Sequence, residues 1–145
     1  MVEDPVPGTP RDLFDRMAQE WLGHPTTDGG LLAEDVVLET PFAPPGRPLR
    51  FEGREEVLAF TAAGRASFPV RLDELTDVVV HETADAEVIV VEYRLGGRLP
   101  DGARRSAPFI GVLQARDGQV IRWREYQDKA AIAAAIAAAT ASTGS

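Results

Sequence analysis

From residue 70 onward, apolar and polar residues alternate with a period of two, which is the spacing of β-strands that bury one face. This alternation predicts four strands, over residues 72–82, 86–99, 104–116 and 119–127. The connections between them have the chemistry of hairpin turns: Ala84-Asp85, Pro100-Asp101-Gly102 and Asp117-Gly118. Because these connections are short, neighbouring strands are expected to pair in antiparallel fashion.

Helical spacing dominates the first part of the chain. Thr9 is placed to cap a helix with Pro10 at its first position, and Gly23-His24-Pro25 ends this helix. A short helical turn over residues 26–33 and a strand over residues 36–41 are predicted to follow. The apolar stripe of the first helix consists of Leu13, Phe14, Met17, Trp21 and Leu22.

A further helix is predicted to open at residues 53–56, with a buried stripe of Val57, Leu58, Phe60 and Thr61. An alanine-rich helix follows Lys129, and Asp128 is placed to cap it. The order of the predicted elements, in which helices precede a meandering sheet, predicts an α+β fold. The expected organisation is a flexible leader over residues 1–8, one domain over residues 9–139 and a disordered tail over residues 140–145.

Composition narrows the classes of function. The 145 residues suffice for one hydrophobic core. The 15 Lys and Arg residues are outnumbered by 23 Asp and Glu residues, giving a net charge of −8, which disfavours nucleic acid and anionic membranes as partners. The absence of cysteine excludes disulfides and cysteine nucleophiles, and the two histidines lack metal-ligand spacing. No signal-peptide pattern is visible, so a cytoplasmic protein without a metal is expected.

The last predicted strand carries an acidic residue on an apolar face. Ile121, Trp123 and Glu125 alternate to one side, whereas the two arginines of this strand point to the other. Apolar side chains turn to the core, so Glu125 is expected to point inward. A carboxyl group buried there must be paired, hydrogen-bonded or protonated. We therefore predict a chemical site in an apolar pocket that Glu125 enters.

The neighbouring strand is predicted to form one wall of this pocket. Its inward row consists of Ala107, Phe109, Gly111, Leu113 and Ala115. The small residues make the wall thin, which favours a cavity beside Glu125. The same small residues can instead accommodate a large neighbour such as Trp123, and the pattern leaves both interpretations open.

The strand before it is ambiguous. One of its faces is wholly apolar and consists of Ile89, Val91, Tyr93 and Leu95, whereas the other combines Val88 and Val90 with Glu92 and Arg94. Hydropathy places the wholly apolar face in the core. The opposite assignment brings Glu92 and Arg94 to the site and leaves an apolar row for a partner chain to cover.

Three segments carry a family resemblance: LAEDVVLE at residues 32–39, FEGREEV at residues 51–57 and GQVIRWREYQD at residues 118–128. They resemble the nuclear transport factor 2-like (NTF2-like) superfamily, and within it the SnoaL-type polyketide cyclases and limonene-epoxide hydrolases. The resemblance implies a cone, in which a strongly curved antiparallel sheet wraps around N-terminal helices and leaves a pocket at its wide end. It also implies a homodimer formed through the outer face of the sheet.

The resemblance further implies roles for single residues. Glu125 takes the position of a catalytic aspartate in both the cyclases and the hydrolases. Arg94 and Glu92 take the positions of a second aspartate and an arginine of the hydrolases, in inverted order, which makes them the expected electrostatic partners of Glu125. The water-holding tyrosine and asparagine of the hydrolases fall at Leu38 and Thr40, and of these only Thr40 can hold a water. The residues of ketosteroid isomerase find no match.

The leading hypothesis is a cofactor-independent acid/base enzyme that acts on a small apolar molecule. Cyclisation, isomerisation or epoxide opening of a polyketide- or terpenoid-like compound are the candidate reactions. The alternative is a non-catalytic ligand-binding or dimerisation module, which is favoured if Glu92 and Arg94 face solvent. The predicted catalytic residues are Glu125, Arg94 and Glu92. The predicted substrate-binding residues are Thr40, Leu38, Trp123, Phe109, Phe60 and Gly111.

Overall fold

The computed structural model describes residues 6–24, 30–68 and 70–143, and this part of the chain forms three helices and six strands. The elements are α1 (Pro10–Trp21), β1 (Leu32–Glu39), β2 (Arg50–Glu52), α2 (Arg54–Ser67), β3 (Arg71–Glu82), β4 (Val88–Arg98), β5 (Arg104–Arg116), β6 (Gln119–Gln127) and α3 (Lys129–Thr143). The predicted strands β3 to β6 are confirmed, and the short strand β2 is an addition. Residues 1–5 of the predicted leader and residues 144–145 of the predicted tail lie outside the described residues.

The strands form one curved, unclosed sheet in the order β2-β1-β6-β5-β4-β3. Strands β3 to β6 are an antiparallel meander, as their short connections predict. β1 pairs with β6 in parallel, because most of the chain separates the two strands and no tight turn constrains their direction. The α+β class is confirmed, but the expectation of a wholly antiparallel sheet is wrong at this one junction.

Helix α1 packs against the inner face of the meander. Its start is as predicted: the Thr9 hydroxyl accepts a hydrogen bond from the Asp12 amide at 3.2 Å, and Pro10 occupies the first helical position. The helix ends at Trp21, and Gly23 then adopts a φ of 84°, a left-handed conformation that suits glycine. The buried residues of its predicted stripe are Leu13, Phe14 and Met17.

The main core lies between α1 and the inner face of the sheet. On β4 this face consists of residues no more than 8% exposed, namely Ile89, Val91, Tyr93 and Leu95. Hydropathy therefore assigned β4 correctly. The predicted inward row of β5 is confirmed as well, because Ala107, Leu113 and Ala115 are buried.

A β-bulge changes the alternation of β6. Ala115 pairs with Val120 and Gln114 pairs with Arg122, so Ile121 is an extra residue without a partner on β5. Val120 is consequently buried, and Ile121 lies beside Arg122 on the outer face. The prediction that Ile121 shares a face with Trp123 and Glu125 is therefore wrong. Beyond the bulge the alternation resumes, and Trp123 and Glu125 both face inward.

Two helical predictions are corrected. Leu32 and Ala33, expected in a helical turn, belong to β1, and the neighbouring carbonyl of Leu31 accepts a 2.9 Å hydrogen bond from the amide of Val120. Residues 26–29 of that predicted turn lie outside the described residues. In α2, Val57 is buried, whereas Leu58 is 48% exposed and the predicted wide apolar stripe does not form.

Helix α3 packs against the end of the sheet. Asp128 caps it as predicted, because its carboxylate accepts a 3.0 Å hydrogen bond from the amide of Ala131. Ala135 and Ala139 of α3 pack with Val70 and Leu99 in a second, smaller core. In the described part of the chain, the helices are too short or too polar to cross a membrane.

Candidate active site

The carboxyl group of Glu125 is held by two hydrogen bonds from inner-face residues. The Tyr93 hydroxyl on β4 donates to Oε1 at 2.9 Å, and the Gln127 side-chain amide donates to Oε2 at 3.0 Å. Gln127 points to the same side as Glu125 because it follows two residues later on one strand. Each oxygen of the Glu125 carboxyl group thus accepts a hydrogen bond from a different residue, Tyr93 on β4 or Gln127 on β6.

Burial controls the protonation of this pair. It raises the pKa of the Glu125 carboxyl, and the hydrogen bonds from Gln127 and Tyr93 oppose this rise without cancelling it. Burial also raises the pKa of the Tyr93 phenol well above its ordinary value, and the neighbouring charge of Glu125 adds to the effect. Tyr93 therefore remains a protonated donor, whereas Glu125 titrates closer to neutrality than a free glutamate does.

Aromatic rings pack around Tyr93, the residue whose hydroxyl donates a hydrogen bond to Glu125. Tyr93 stacks on Phe109 with ring centroids 5.4 Å apart and on Trp21 with centroids 5.5 Å apart. Phe14 lies 5.5 Å from Tyr93 and 6.1 Å from Trp123. This apolar setting is the physical cause of the desolvation at Glu125. Trp123 and Phe109, which the sequence predicts as substrate-binding residues, both belong to this cluster of aromatic rings.

The absence of a side chain at Gly111 makes room for the indole of Trp123. A Cβ atom at this position would overlap the indole of Trp123, whose Cζ2 and Cζ3 would lie 2.6 Å from it. Gly111 pairs with Glu125 across β5 and β6, so the indole covers the β5 position that lies opposite Glu125. Of the two interpretations left open by the sequence, accommodation of Trp123 is the one that the structure supports.

Two cavities lie on the outer face of the sheet, away from Glu125. The first, of about 380 Å³, is lined at the β1–β6 side by residues that include Ile121 and Arg122. The second, of about 330 Å³, lies over Gly96 and is lined by residues that include Arg94 and Ser106. Neither of these two cavities is the inward pocket predicted from the sequence.

Glu92 and Arg94 do not accompany Glu125. Both lie on the outer face, where the Glu92 carboxylate is 2.6 Å from the His81 ring and the Arg94 guanidinium donates to the Ser106 hydroxyl at 3.1 and 3.2 Å. The expected electrostatic partnership of Glu92 and Arg94 with Glu125 is therefore wrong. The physical reason is alternation, because the residue between them, Tyr93, takes the inward position of the strand.

The remaining predicted binding residues divide between core and surface. Leu38 is 5% exposed and pairs in register with Trp123 of β6. Thr40 is buried, and its hydroxyl donates to the Pro48 carbonyl at 3.4 Å, which ties down the loop after β1. Phe60 stacks on Phe51 with ring centroids 4.0 Å apart, a contact within the α2 and β2 region. Trp123, Phe109 and Gly111 thus lie on β5 and β6 near Glu125 in the register, whereas Phe60 makes a separate contact.

The sequence interpretation missed Tyr93 and Gln127 as members of the site. The signal for Gln127 was its position two residues after Glu125, which places both on one face. The signal for Tyr93 was a hydroxyl within an otherwise aliphatic buried row, since a buried phenol needs a hydrogen-bond partner. Across the sheet, the Glu125 carboxyl on the inward row of β6 was available to accept it.

The chain is similar in sequence to known proteins. Residues 15–123 match the model of the SnoaL-like domain, a match that ends two residues before Glu125. A PhzA/B-like protein of Pseudomonas aeruginosa, itself uncharacterized, is 37% identical over 97 residues, which are 66% of this chain and 67% of that protein.

Solved structures are similar as well. A candidate SnoaL-like polyketide cyclase from Jannaschia sp. superimposes with a TM-score of 0.62 at 25% identity, over 95% of this chain and 98% of that one. A phenazine biosynthesis-related protein from Pseudomonas aeruginosa gives a TM-score of 0.67 at 19% identity, over 88% and 84% of the two chains, and this likeness shows the fold alone. The family match and the fold together establish that the chain belongs to the SnoaL-like domain family of the NTF2-like superfamily.

Proposed function

We propose that the protein is a cofactor-independent acid/base enzyme of the SnoaL-like type, in which Glu125 transfers a proton to or from a small apolar organic substrate. One observation carries this proposal: the Glu125 carboxyl has a raised pKa and accepts hydrogen bonds from Gln127 and from Tyr93, whose ring is packed among other aromatic rings. A carboxyl group with a pKa nearer to the operating pH is a better proton-transfer group than a free glutamate. Such a transfer requires only the side chain and a substrate with an acidified C–H or a basic oxygen.

Cyclisation or isomerisation of a polyketide-like carbonyl compound suits the site better than epoxide opening. The hydrolase resemblance required two acids and an arginine around one water, but Glu92 and Arg94 lie on the outer face. The Thr40 hydroxyl, which was the remaining candidate to hold a water, donates to a backbone carbonyl. The similarity to a candidate SnoaL-like polyketide cyclase supports the same choice.

A non-catalytic ligand-binding module is the second candidate function. One observation favours it: Glu92 and Arg94 are on the outer face. The two hydrogen bonds to Glu125 argue against a binding module, because they show that this carboxyl group is not isolated. Binding alone does not require a carboxyl group whose two oxygens are held by separate donors.

Deuterium exchange of an acidic C–H distinguishes the two candidates. The probe is 2-tetralone, a bicyclic ketone, and the measurement is loss of its C1 proton signal in buffered D2O by proton NMR. We expect the wild-type protein to accelerate exchange above the buffer rate and Glu125→Gln to lose about 10²-fold or more of that acceleration. Glu92→Gln, which changes an outer-face carboxylate, is the matched control and should exchange like the wild type. Equal rates for wild type and Glu125→Gln would overturn the acid/base role, and binding of the probe without exchange would favour the binding module.

The outer face of the sheet is the proposed homodimer surface. Ile110 is 43% exposed and Val79 is 47% exposed, and both belong to strands whose outer residues alternate with the core rows. Val90 and Val112 on the same face are partly buried. Burial of these apolar side chains against a second copy of the chain would lower the free energy and so stabilise the dimer.

A further inference from the structure

We propose that Gln127 is a positioning residue whose side-chain amide reverses when Glu125 gains or loses a proton, so that both protonation states of the carboxyl group stay hydrogen-bonded. The inference rests on the proposed acid/base function of Glu125 and adds to it a second residue with a defined task. It arises from the chemistry of the two donors, because a phenol and a carboxamide do not have the same capacity to change direction.

In the ionised state, both oxygens of Glu125 can only accept. The Tyr93 hydroxyl donates to Oε1, and the Gln127 amide nitrogen donates to Oε2 at 3.0 Å. An ionised carboxylate requires this orientation of the amide, since the Gln127 carbonyl oxygen would otherwise face a negative oxygen. Both acceptors are thereby satisfied in an apolar setting, where an unsatisfied polar atom is costly.

In the protonated state, the new proton belongs on Oε2. A half-turn of the Gln127 amide presents its carbonyl oxygen to that proton, and the Tyr93 hydroxyl continues to donate to Oε1. A proton on Oε1 would instead point at the Tyr93 oxygen and force the phenol proton away. Gln127 is half-buried, so its amide nitrogen can turn towards solvent. Tyr93 is therefore the constant donor, and Gln127 is the partner that adapts.

Other charged groups do not take over this task. Among the described residues, the titratable group that is hydrogen-bonded to Glu125 is Tyr93. The charged residues beside it on the strands face outward: Glu92 contacts His81, Arg94 contacts Ser106, and Arg124 contacts Glu39. On α1, Asp12 is paired with Arg16 at 3.2 Å. An arginine or lysine at the position of Gln127 would offer only donors and would hold Glu125 in its ionised form.

The proton transfer itself balances at Oε2. When Glu125 acts as base, a substrate C–H bond breaks, its electron pair stays on the substrate, and the proton forms the Oε2–H bond. When Glu125 acts as acid, the same O–H bond breaks and the proton moves to another substrate atom. Gln127 accepts from Oε2–H in the interval, and it forms no covalent bond in either direction.

The test is an NMR titration of the full chain without any substrate. The carboxyl carbon of glutamate is labelled with carbon-13, the side-chain amide of glutamine with nitrogen-15, and Glu125→Gln identifies the Glu125 signal by its loss. We expect the Gln127 amide signals to shift with the same midpoint as the Glu125 carboxyl. Gln127→Met should move the Glu125 midpoint upward, Gln127→Lys should move it downward, and Gln114→Met, the same change on the outer face, should leave it in place.

Gln127 amide signals that stay constant through the Glu125 titration would overturn the inference. So would a Gln127→Met protein whose Glu125 midpoint equals that of the wild type. The wild-type amide measurement decides the matter even if a variant does not fold. The titration is independent of turnover, so failure of the 2-tetralone exchange alone removes the proposed function, and failure of the titration alone removes the role of Gln127.

Discussion

The Tyr93 hydroxyl lies 2.9 Å from Oε1 of Glu125, and this contact joins β4 to β6 although β5 lies between them. The two residues are 32 positions apart in the chain. The intervening strand presents Gly111, which has no side chain, opposite Glu125. The site therefore depends on the register of three strands at once.

The hydroxyl of Tyr93 is expected to stabilise the ionised Glu125 and the fold. Tyr93→Phe keeps the ring stacked on Phe109 but removes the donor to Oε1. We predict a loss of about 1–2 kcal/mol in the free energy of unfolding and a higher Glu125 pKa, because one opposing hydrogen bond is lost. Denaturant unfolding and carboxyl NMR measure the two effects. Tyr126→Phe removes the other phenol hydroxyl of the chain, on the outer face, and should leave the Glu125 pKa unchanged; an equal shift in both variants would contradict the assignment.

The raised pKa of Glu125 predicts a pH dependence of stability. Because burial favours the protonated form in the folded state, the stabilising contribution is fully present below the unfolded pKa near 4.5 and is lost as pH rises through the folded pKa. The difference in unfolding free energy between wild type and Glu125→Gln should therefore fall from acidic pH to neutrality. Urea titrations at several pH values give this difference. A difference that grows in the same window would show that the folded state prefers the ionised carboxylate.

Close packing of Trp123 over Gly111 predicts a low tolerance for any side chain at position 111. In Gly111→Ala the new methyl group overlaps the indole, and we expect a loss of about 1–3 kcal/mol of stability from overpacking. Gly64→Ala is the matched control, since Gly64 lies within α2 and its Cβ would meet nothing within 4 Å. That control should be neutral or more stable. A Gly111→Ala protein as stable as the wild type would mean that the space beside Glu125 is not filled by Trp123.

A homodimer through the outer face predicts sensitivity to charge at Ile110. Ile110→Asp should change the solution mass from twice 15.7 kDa towards 15.7 kDa, because a carboxylate cannot be buried there without a partner. Light scattering after size exclusion measures this mass. Leu58→Asp, at an exposed apolar residue of α2, is the control and should not change it. Equal masses for wild type and Ile110→Asp would contradict this interface.

Alternation within strands accounts for what the sequence predicts well. β3 to β6 were predicted from the period of two and from hairpin turns, which are local features. The inward direction of Glu125 followed from Trp123 two residues earlier, and this held even though the bulge displaced Ile121. The parallel pairing of β1 with β6 was not predictable in this way, because it is a contact between distant segments without a turn of its own.

The composition of the site was predicted only in part. Glu125, Trp123, Phe109 and Gly111 were predicted for the site because the alternation of two neighbouring strands places them on inward rows. Tyr93 was grouped with the core, and the resemblance to the hydrolases directed attention to its neighbours in sequence instead. Which residues meet across three strands depends on register and on the reach of long side chains, and neither is encoded in the pattern of one strand.

A pH–rate profile decides whether Glu125 is the proton-transfer group. The exchange rate of 2-tetralone with the wild-type protein is measured across pH and compared with the Glu125 carboxyl titration on the same protein by carbon-13 NMR. If Glu125 acts as base, the rate should rise with a midpoint equal to the Glu125 pKa, and that midpoint should lie above 4.5. A profile that is flat, or whose midpoint differs from the one measured for Glu125, would show that Glu125 is not the proton-transfer group.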